Sequence, residues 1–416
     1  MNFIQEIMDS TIELEPPRSF FFWSALAAIS ATVMDNVWLP RGEQEGTSNV
    51  YYNTYPNIYV MLYAGSALKK GPPVSLAKDL VKKATNGLPR IISGRSSIQA
   101  MLKELGTSYT QPGGKVISKS AAFIASSEFS SSIVEDKAAM TILTDLYDRN
   151  WNEGDWKSLL KQEEFTLKDP ILTLLAATNP AHFDDFISQK DVHGGFVGRM
   201  FVIVEKESST LNSLVSKLKR VPDKDKLAAY LKQVALLKGP FTGLADTPAG
   251  EYYNDWYMNF FNTIKDQKIE DPTGTIGRFG ESVIKIAMLL QLAQEPKLGK
   301  IDLHIMEAAV LTCDKLIGNV RSITHGKKGK ATNLELKTLI MNEFLEREPH
   351  MVSREILMKK YWMHYSNADE FNETMGAFHD SGMIEVQNSG TVVYYVMKDS
   401  EAQKLKDHLG GKKGQG

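Results

Sequence analysis

NIYVMLYAGSALKKGPPVSLAKDLV, residues 57–81, passes from an apolar strand through a loop of small residues into a helix. A loop of this kind at a helix N-terminus can turn backbone N–H groups toward phosphates, with a lysine for the outer oxygens. The usual pattern is G-x-x-x-x-G-K-[ST]. With Lys70 as its lysine, Ala64 and Lys69 stand at the two glycine positions and Gly71 at the hydroxyl position. Gly65, Ser66, Ala67, Lys69, Lys70 and Gly71 are therefore the candidate phosphate-binding residues, without a hydroxyl for Mg²⁺. Ser75 stands too far along the helix to replace it. An ordinary strand–turn–helix with two solvated lysines fits the same residues.

Three further signals follow in order. AAFIASSEF (121–129) is an apolar strand that ends at Ser127 and Glu128, where such sites carry Asp-Glu for metal and water. Ser127 and Glu128 are the candidate metal-side residues, and Glu128 the candidate water activator; a helix cap or a strand-edge carboxylate is the plainer reading. PILTLLAATNP (170–180) ends at Asn179, a candidate polar sensor or simply part of a strand-terminating turn. GGFVGRMFVIV (194–204) sets Arg199 before a fourth strand. Arg199 is a candidate arginine finger or a structural ion-pair partner. Arg278 opens a helix and is the candidate second sensor, folding back on the nucleotide, with a plain surface arginine as the alternative.

The rest of the chain reads outward from these signals. Strand candidates at 57–63, 121–126, 170–177 and 199–204 alternate with helices at 75–85 and 96–106. That alternation predicts an α/β fold with a parallel sheet covered by helices. Residues 1–45 read as helices that lead into a short strand at 37–40, 42–56 as a loop, and 46–205 as the sheet-bearing core. Residues 206–325 read as a helical lid and 326–333 as a linker. Residues 334–398 hold three short helices and a hairpin around Asn388-Ser389-Gly390, a winged-helix pattern, and 399–416 read as a flexible tail.

Composition narrows the function classes. At 416 residues and net charge −2, no bulk electrostatic drive toward nucleic acid exists, so any such site is local. The single Cys313 excludes a disulfide framework within the chain and a cysteine-built zinc site. The apolar run 19–34 is shorter than a membrane span and follows acidic residues, so a buried helix, not a signal peptide, is expected. The expected partners include no membrane, and the expected location is the cytoplasm.

Taken together, Ser127-Glu128-Phe129, LLAATNP (174–180) and GGFVGRMFVIVEKE (194–207) resemble the core of the minichromosome-maintenance helicases, a branch of the AAA+ ATPases. The order of lid and winged helix matches as well. A closer resemblance is to phage and mobile-element P-loop proteins described as primase- or helicase-like. It includes SALKKG (66–71), IISGRSSIQAMLKEL (91–105) and LTDLYD (143–148), and it covers roughly residues 15–325.

The resemblance implies an ATP- and Mg²⁺-dependent hexameric ring acting on single-stranded DNA in phage or plasmid replication. By position, Lys70 contacts phosphates, Glu128 activates water, Asn179 senses the γ-phosphate and Arg199 acts in trans. It also implies a DNA-contacting hairpin between Asp148 and Pro170, with Lys157, Lys161 and Lys168 as DNA contacts and Trp151 and Trp156 as stacking groups. An amphipathic surface hairpin with core tryptophans is the alternative. The third helix of the winged-helix pattern carries Asp369, Glu370, Glu373 and Asp380 and no basic residue, which favours a protein partner over the major groove. The competing reading is a catalytically degenerate scaffold, loader or initiator that recruits replication partners.

Overall fold

The computed structural model describes the chain apart from residues 44–48, 95–96, 108, 111–115, 130–138, 149–153, 161–162, 181–194, 212–217, 267–270, 272, 326–332, 362–367, 390–391 and 411–416. The chain forms two compact units, Met1–Arg321 and Ser322–Gly416.

In the first unit, α1 (Phe3–Ser10) and α2 (Arg18–Val33) precede the sheet. The apolar run is apolar all round, and α2 is accordingly buried on nearly every side. It packs against the sheet and four other helices. Ser30 Oγ meets Thr173 Oγ1 at 2.8 Å, which satisfies two hydroxyls inside that apolar contact.

The parallel sheet follows: β1 (Tyr59–Tyr63), α3 (Gly71–Ala84), β2 (Arg90–Ile92), α4 (Ile98–Gly106), β3 (Ala121–Ser126), α5 (Ala139–Tyr147), β4 (Ile171–Thr178) and β5 (Met200–Val204). Its order is β5-β1-β4-β3-β2, and every pairing is parallel. Both β3 and β4 are buried along their whole length, as strands covered on two faces must be. One face, with Val60, Phe123, Leu175 and Phe201, joins the core of α2 and α3. The edge strand β2 is three residues long, too short for a periodic signal in the sequence.

Residues 42–56 are not simply a loop. Val37–Glu43 pairs antiparallel with Val50–Thr54, and Val37 and Trp38 also pair with Gly239 and Pro240. Helices α6 (Lys224–Ala235), α7 (Pro248–Asp266) and α8 (Phe279–Gln294) follow, and α9 (Leu303–His325) runs through the end of the unit at Arg321. The side chain of Asp223 caps α6 by accepting from the N–H groups of Asp225 and Lys226. Among the described residues, no helix is long and apolar enough to cross a membrane.

The second unit holds α10 (Asn333–Leu345), α11 (Arg354–Tyr361) and α12 (Ala368–Asp380). Its antiparallel sheet runs Met351–Ser353, Val392–Met397, Ile384–Ser389. Ile340, Phe344, Leu357, Phe371 and Tyr395 share its core. The segment expected as a flexible tail begins with a helix, α13 (Asp399–Gly410). Two acidic residues in its first turn suit the helix dipole, and Ala402 is buried in the same core.

Candidate functional site

The loop that follows β1 holds one residue in a conformation that glycine would favour. Ser66–Leu68 is a 3₁₀ turn, and Lys69 then adopts a left-handed conformation, φ 45° and ψ 55°. That is the position before the lysine, which glycine usually holds because left-handed backbone disfavours side chains. The Lys70 ammonium curls back over the loop and donates to the carbonyls of Ala64 (2.7 Å) and Gly65 (2.9 Å). A side chain at Gly65 or Gly71 would meet nothing within 4 Å, so the loop surface is open at both. Lys69 instead reaches away to an ion pair with Glu15.

Strand register brings the other groups to this edge. Thr178 of β4 pairs with Tyr63 of β1, and Ala176 pairs with Ser126 of β3. The N–H of Ala64 donates to the Thr178 carbonyl at 3.3 Å. Asn179 thus leaves the sheet between the loop and the end of β3. Ser127 and Glu128 lie just past that end and line a cleft of about 430 Å³ with Ser75, Lys78, Ser93 and Gly94. Burial lowers the pKa of Lys70, and the nearby Glu128 carboxylate opposes that shift. Ser75, one helical turn past Gly71 on the same face of α3, shares the cleft with Glu128.

Arg199 and Arg278 occupy the opposite edge. From Asn57 to Ala64 the chain crosses the sheet, and seven residues at about 3.3 Å each give about 23 Å. Arg199 enters β5 on the Asn57 side. Its Nε donates to Asp148 Oδ2 at 3.1 Å, its Nη2 to the same oxygen, and its Nη1 to the Gly195 carbonyl at 2.9 Å. The guanidinium of Arg278 bonds the Gly274 carbonyl at 3.0 Å and lines a cleft of about 390 Å³ with Tyr147, Asp148 and Glu281. A side chain at Gly195 would touch both guanidiniums. The loop before α8 holds Arg278, the candidate second sensor, beside Arg199.

A buried lysine supports this edge. Lys285 of α8 is 1% exposed, donates to Asn57 Oδ1 (2.9 Å) and the Asn57 carbonyl (3.2 Å), and sits 4.1 Å from the centre of the Tyr147 ring. Asn57 returns a bond to the Tyr147 carbonyl at 2.9 Å. Neither Lys285 nor Asn57 stands out in the sequence, since each belongs to an otherwise apolar element. Asp148 closes the LTDLYD motif, but only its partner reveals its use.

The segment between Asp148 and Pro170 contains an antiparallel hairpin, Trp156–Leu160 with Glu163–Leu167. Phe165 and Leu167 are buried, whereas Lys157 is exposed opposite Thr166. Trp156 is half-buried, and Lys168 is exposed at the hairpin base, where its N–H donates to Ser120 Oγ at 3.0 Å. Lys161 and Trp151 lie outside the described residues.

The residues fit a nucleotide's phosphates and metal unequally. Lys70 and the N–H groups of Lys69, Lys70 and Gly71 suit an anion. Pro72 and Pro73 remove the next two N–H groups from the first turn of α3, although proline there favours helix initiation. The metal positions hold Gly71 and Ser127, so the residues do not fit a protein-ligated Mg²⁺. Among the described residues, no group of three or more His, Cys, Asp or Glu is arranged to hold a metal ion. Compared with protein-family models and with curated proteins, the chain matches none.

Proposed function

We propose that this chain is a nucleotide-dependent P-loop protein of the AAA+ class, a subunit of a hexameric ring that acts on DNA in phage or plasmid replication as a helicase-like motor. The strand order β5-β1-β4-β3-β2 carries the reading. It sets β4 between the strand that feeds the phosphate loop and the strand that ends at Glu128. A phosphate contact (Lys70), a water activator (Glu128) and a polar sensor (Asn179) then share one edge. Arg199 and Arg278 stand together about 23 Å away by strand length. Groups so far from their own loop serve a neighbour's nucleotide, which is the logic of a trans-acting arginine. Bound ATP supplies the phosphoryl group, and this chain's residues hold its phosphates and orient water.

The hairpin Trp156–Leu167 begins and ends on the arginine side, and Lys157, Lys161 and Lys168 are its proposed DNA contacts. The second unit, with its helix–strand–helix–helix–hairpin order, supports a winged-helix reading. The acidic face of α12 then suits a basic protein partner better than DNA.

ATP hydrolysis with and without single-stranded DNA tests the proposal, beside Lys70→Ala, Glu128→Gln and Arg199→Ala. DNA-stimulated turnover that falls on the order of a thousandfold in Arg199→Ala, with nucleotide binding kept, supports a ring motor. Turnover equal in wild type and Lys70→Ala rejects it. The missing N–H groups at Pro72 and Pro73 favour a second reading, a scaffold or loader that binds nucleotide without turnover. Nucleotide-dependent assembly with no hydrolysis identifies that case.

A further inference from the structure

We propose that the Lys78 ammonium is a further phosphate-binding group of the candidate nucleotide site and that, with Lys70, it supplies the positive charge a divalent cation contributes elsewhere. The inference rests on the nucleotide reading above. It starts from the mismatch at the metal positions. Gly71 offers no hydroxyl, Ser127 no charge, and Glu128 is the one carboxylate among the described residues that line the cleft.

Positive charge is present instead. Gly71, Ser75, Lys78 and Lys82 recur at helical spacing and share one face of α3. Ser75 and Lys78 line the cleft with Ser127 and Glu128. Several charges nearby are neutralised: Lys69 pairs with Glu15, Lys83 with Asp225, and Asp79 with Lys224, whereas Lys82, which shares a second cleft with Lys78, lies outside the cleft that Glu128 lines. Among the described residues, the ammonium of Lys78 has no such partner. Lys78 stands seven residues past Gly71, about 10 Å along the axis. Helical side chains lean toward the N-terminus, and a four-carbon stem gives the ammonium reach along the cleft that Glu128 lines. Lys70 and Lys78 together carry two positive charges, equal to those of a divalent cation. The ligand class is a nucleoside triphosphate bound without an obligatory metal.

Titration of the full chain with a fluorescent ATP analogue, in excess EDTA and in excess Mg²⁺, tests this. Wild type should bind within about threefold in the two buffers. Loss of one charge-assisted contact in Lys78→Gln should weaken binding in EDTA by about tenfold or more. Mg²⁺ should restore part of that loss, and Lys82→Gln should bind as wild type. Collapse of wild-type binding in EDTA overturns the inference, as does unchanged binding by Lys78→Gln or equal weakening by Lys82→Gln. Lys70→Ala separates the two levels. If binding is absent or indifferent to Lys70, the nucleotide reading falls and the inference with it; if Lys70 matters and Lys78 does not, the inference alone falls. Lys78 is a half-exposed helix residue, so a thermal melt of Lys78→Gln should match wild type.

Discussion

Arg199 closes on Asp148 with two nitrogens directed at one carboxylate oxygen, Nε at 3.1 Å and Nη2 beside it. The pair joins the end of α5 to the start of β5. The Arg199 side chain is 10% exposed and the Asp148 side chain 27%. Water screens the pair only in part, so removing one partner strands the other. Asp148→Asn should therefore cost about 1–3 kcal/mol in urea denaturation. Arg199→Lys should cost a similar amount, because an ammonium lacks the planar fork that spans the carboxylate and the Gly195 carbonyl. Unchanged stability in both variants would mean that the pair is not formed in solution.

The contact between α2 and β4 separates packing from hydrogen bonding. Leu175 is fully buried in the core shared with α2 and α3, and Leu175→Ala should cost about 2–5 kcal/mol. Thr173→Val keeps the shape but orphans the Ser30 hydroxyl, which should cost about 1–3 kcal/mol. Adding Ser30→Ala to Thr173→Val removes both hydroxyls and should recover most of that loss. A double-mutant cycle from thermal or urea melts measures the recovery; a strictly additive loss would contradict the bond.

Lys285 predicts a pH dependence. Burial lowers its pKa, while Glu281 and Asp148 oppose the shift and Arg199 adds to it. A lysine whose folded value lies below its unfolded value binds fewer protons in the native state. Stability should then rise with pH between the lowered value and about 10.4, the ordinary lysine value. Lys285→Met should flatten that rise in urea melts recorded across the alkaline range. A variant whose slope matches wild type would show that the lysine does not titrate in this window.

What the sequence reveals and what it hides follow from the range of each interaction. The strands 121–126 and 170–177 are legible because burial on both faces leaves an unbroken apolar run, and α2 is legible for the same reason. The loop 64–71 and the strand ends at Glu128 and Asn179 are legible as local residue patterns. The pairing of 37–43 with 50–54 is not, because Gly42 and the polar residues after it read as a turn without revealing which strands it joins. The surroundings of Arg278 are hidden for a related reason: its partner, the Gly274 carbonyl, is local, but its neighbour Arg199 is 79 positions earlier in the chain. Asn57 and Lys285 are 228 residues apart, and neither betrays the other.

Gly71→Ser tests whether the hydroxyl missing from the loop is the reason for a weak metal site. A Cβ at Gly71 meets nothing within 4 Å, so the substitution fits without repacking. Gly71 is the first residue of α3, where serine carries little helix penalty. The new hydroxyl would stand one turn above Ser75, on the face that lines the cleft with Glu128. Nucleotide binding by Gly71→Ser should become stimulated by Mg²⁺, by about tenfold for one added ligand. Parallel titrations of wild type and variant over a range of Mg²⁺ read this directly. Identical Mg²⁺ curves would locate the defect elsewhere, at Ser127 or at the N–H groups that Pro72 and Pro73 remove, and Ser127→Asp in the Gly71→Ser background distinguishes those two.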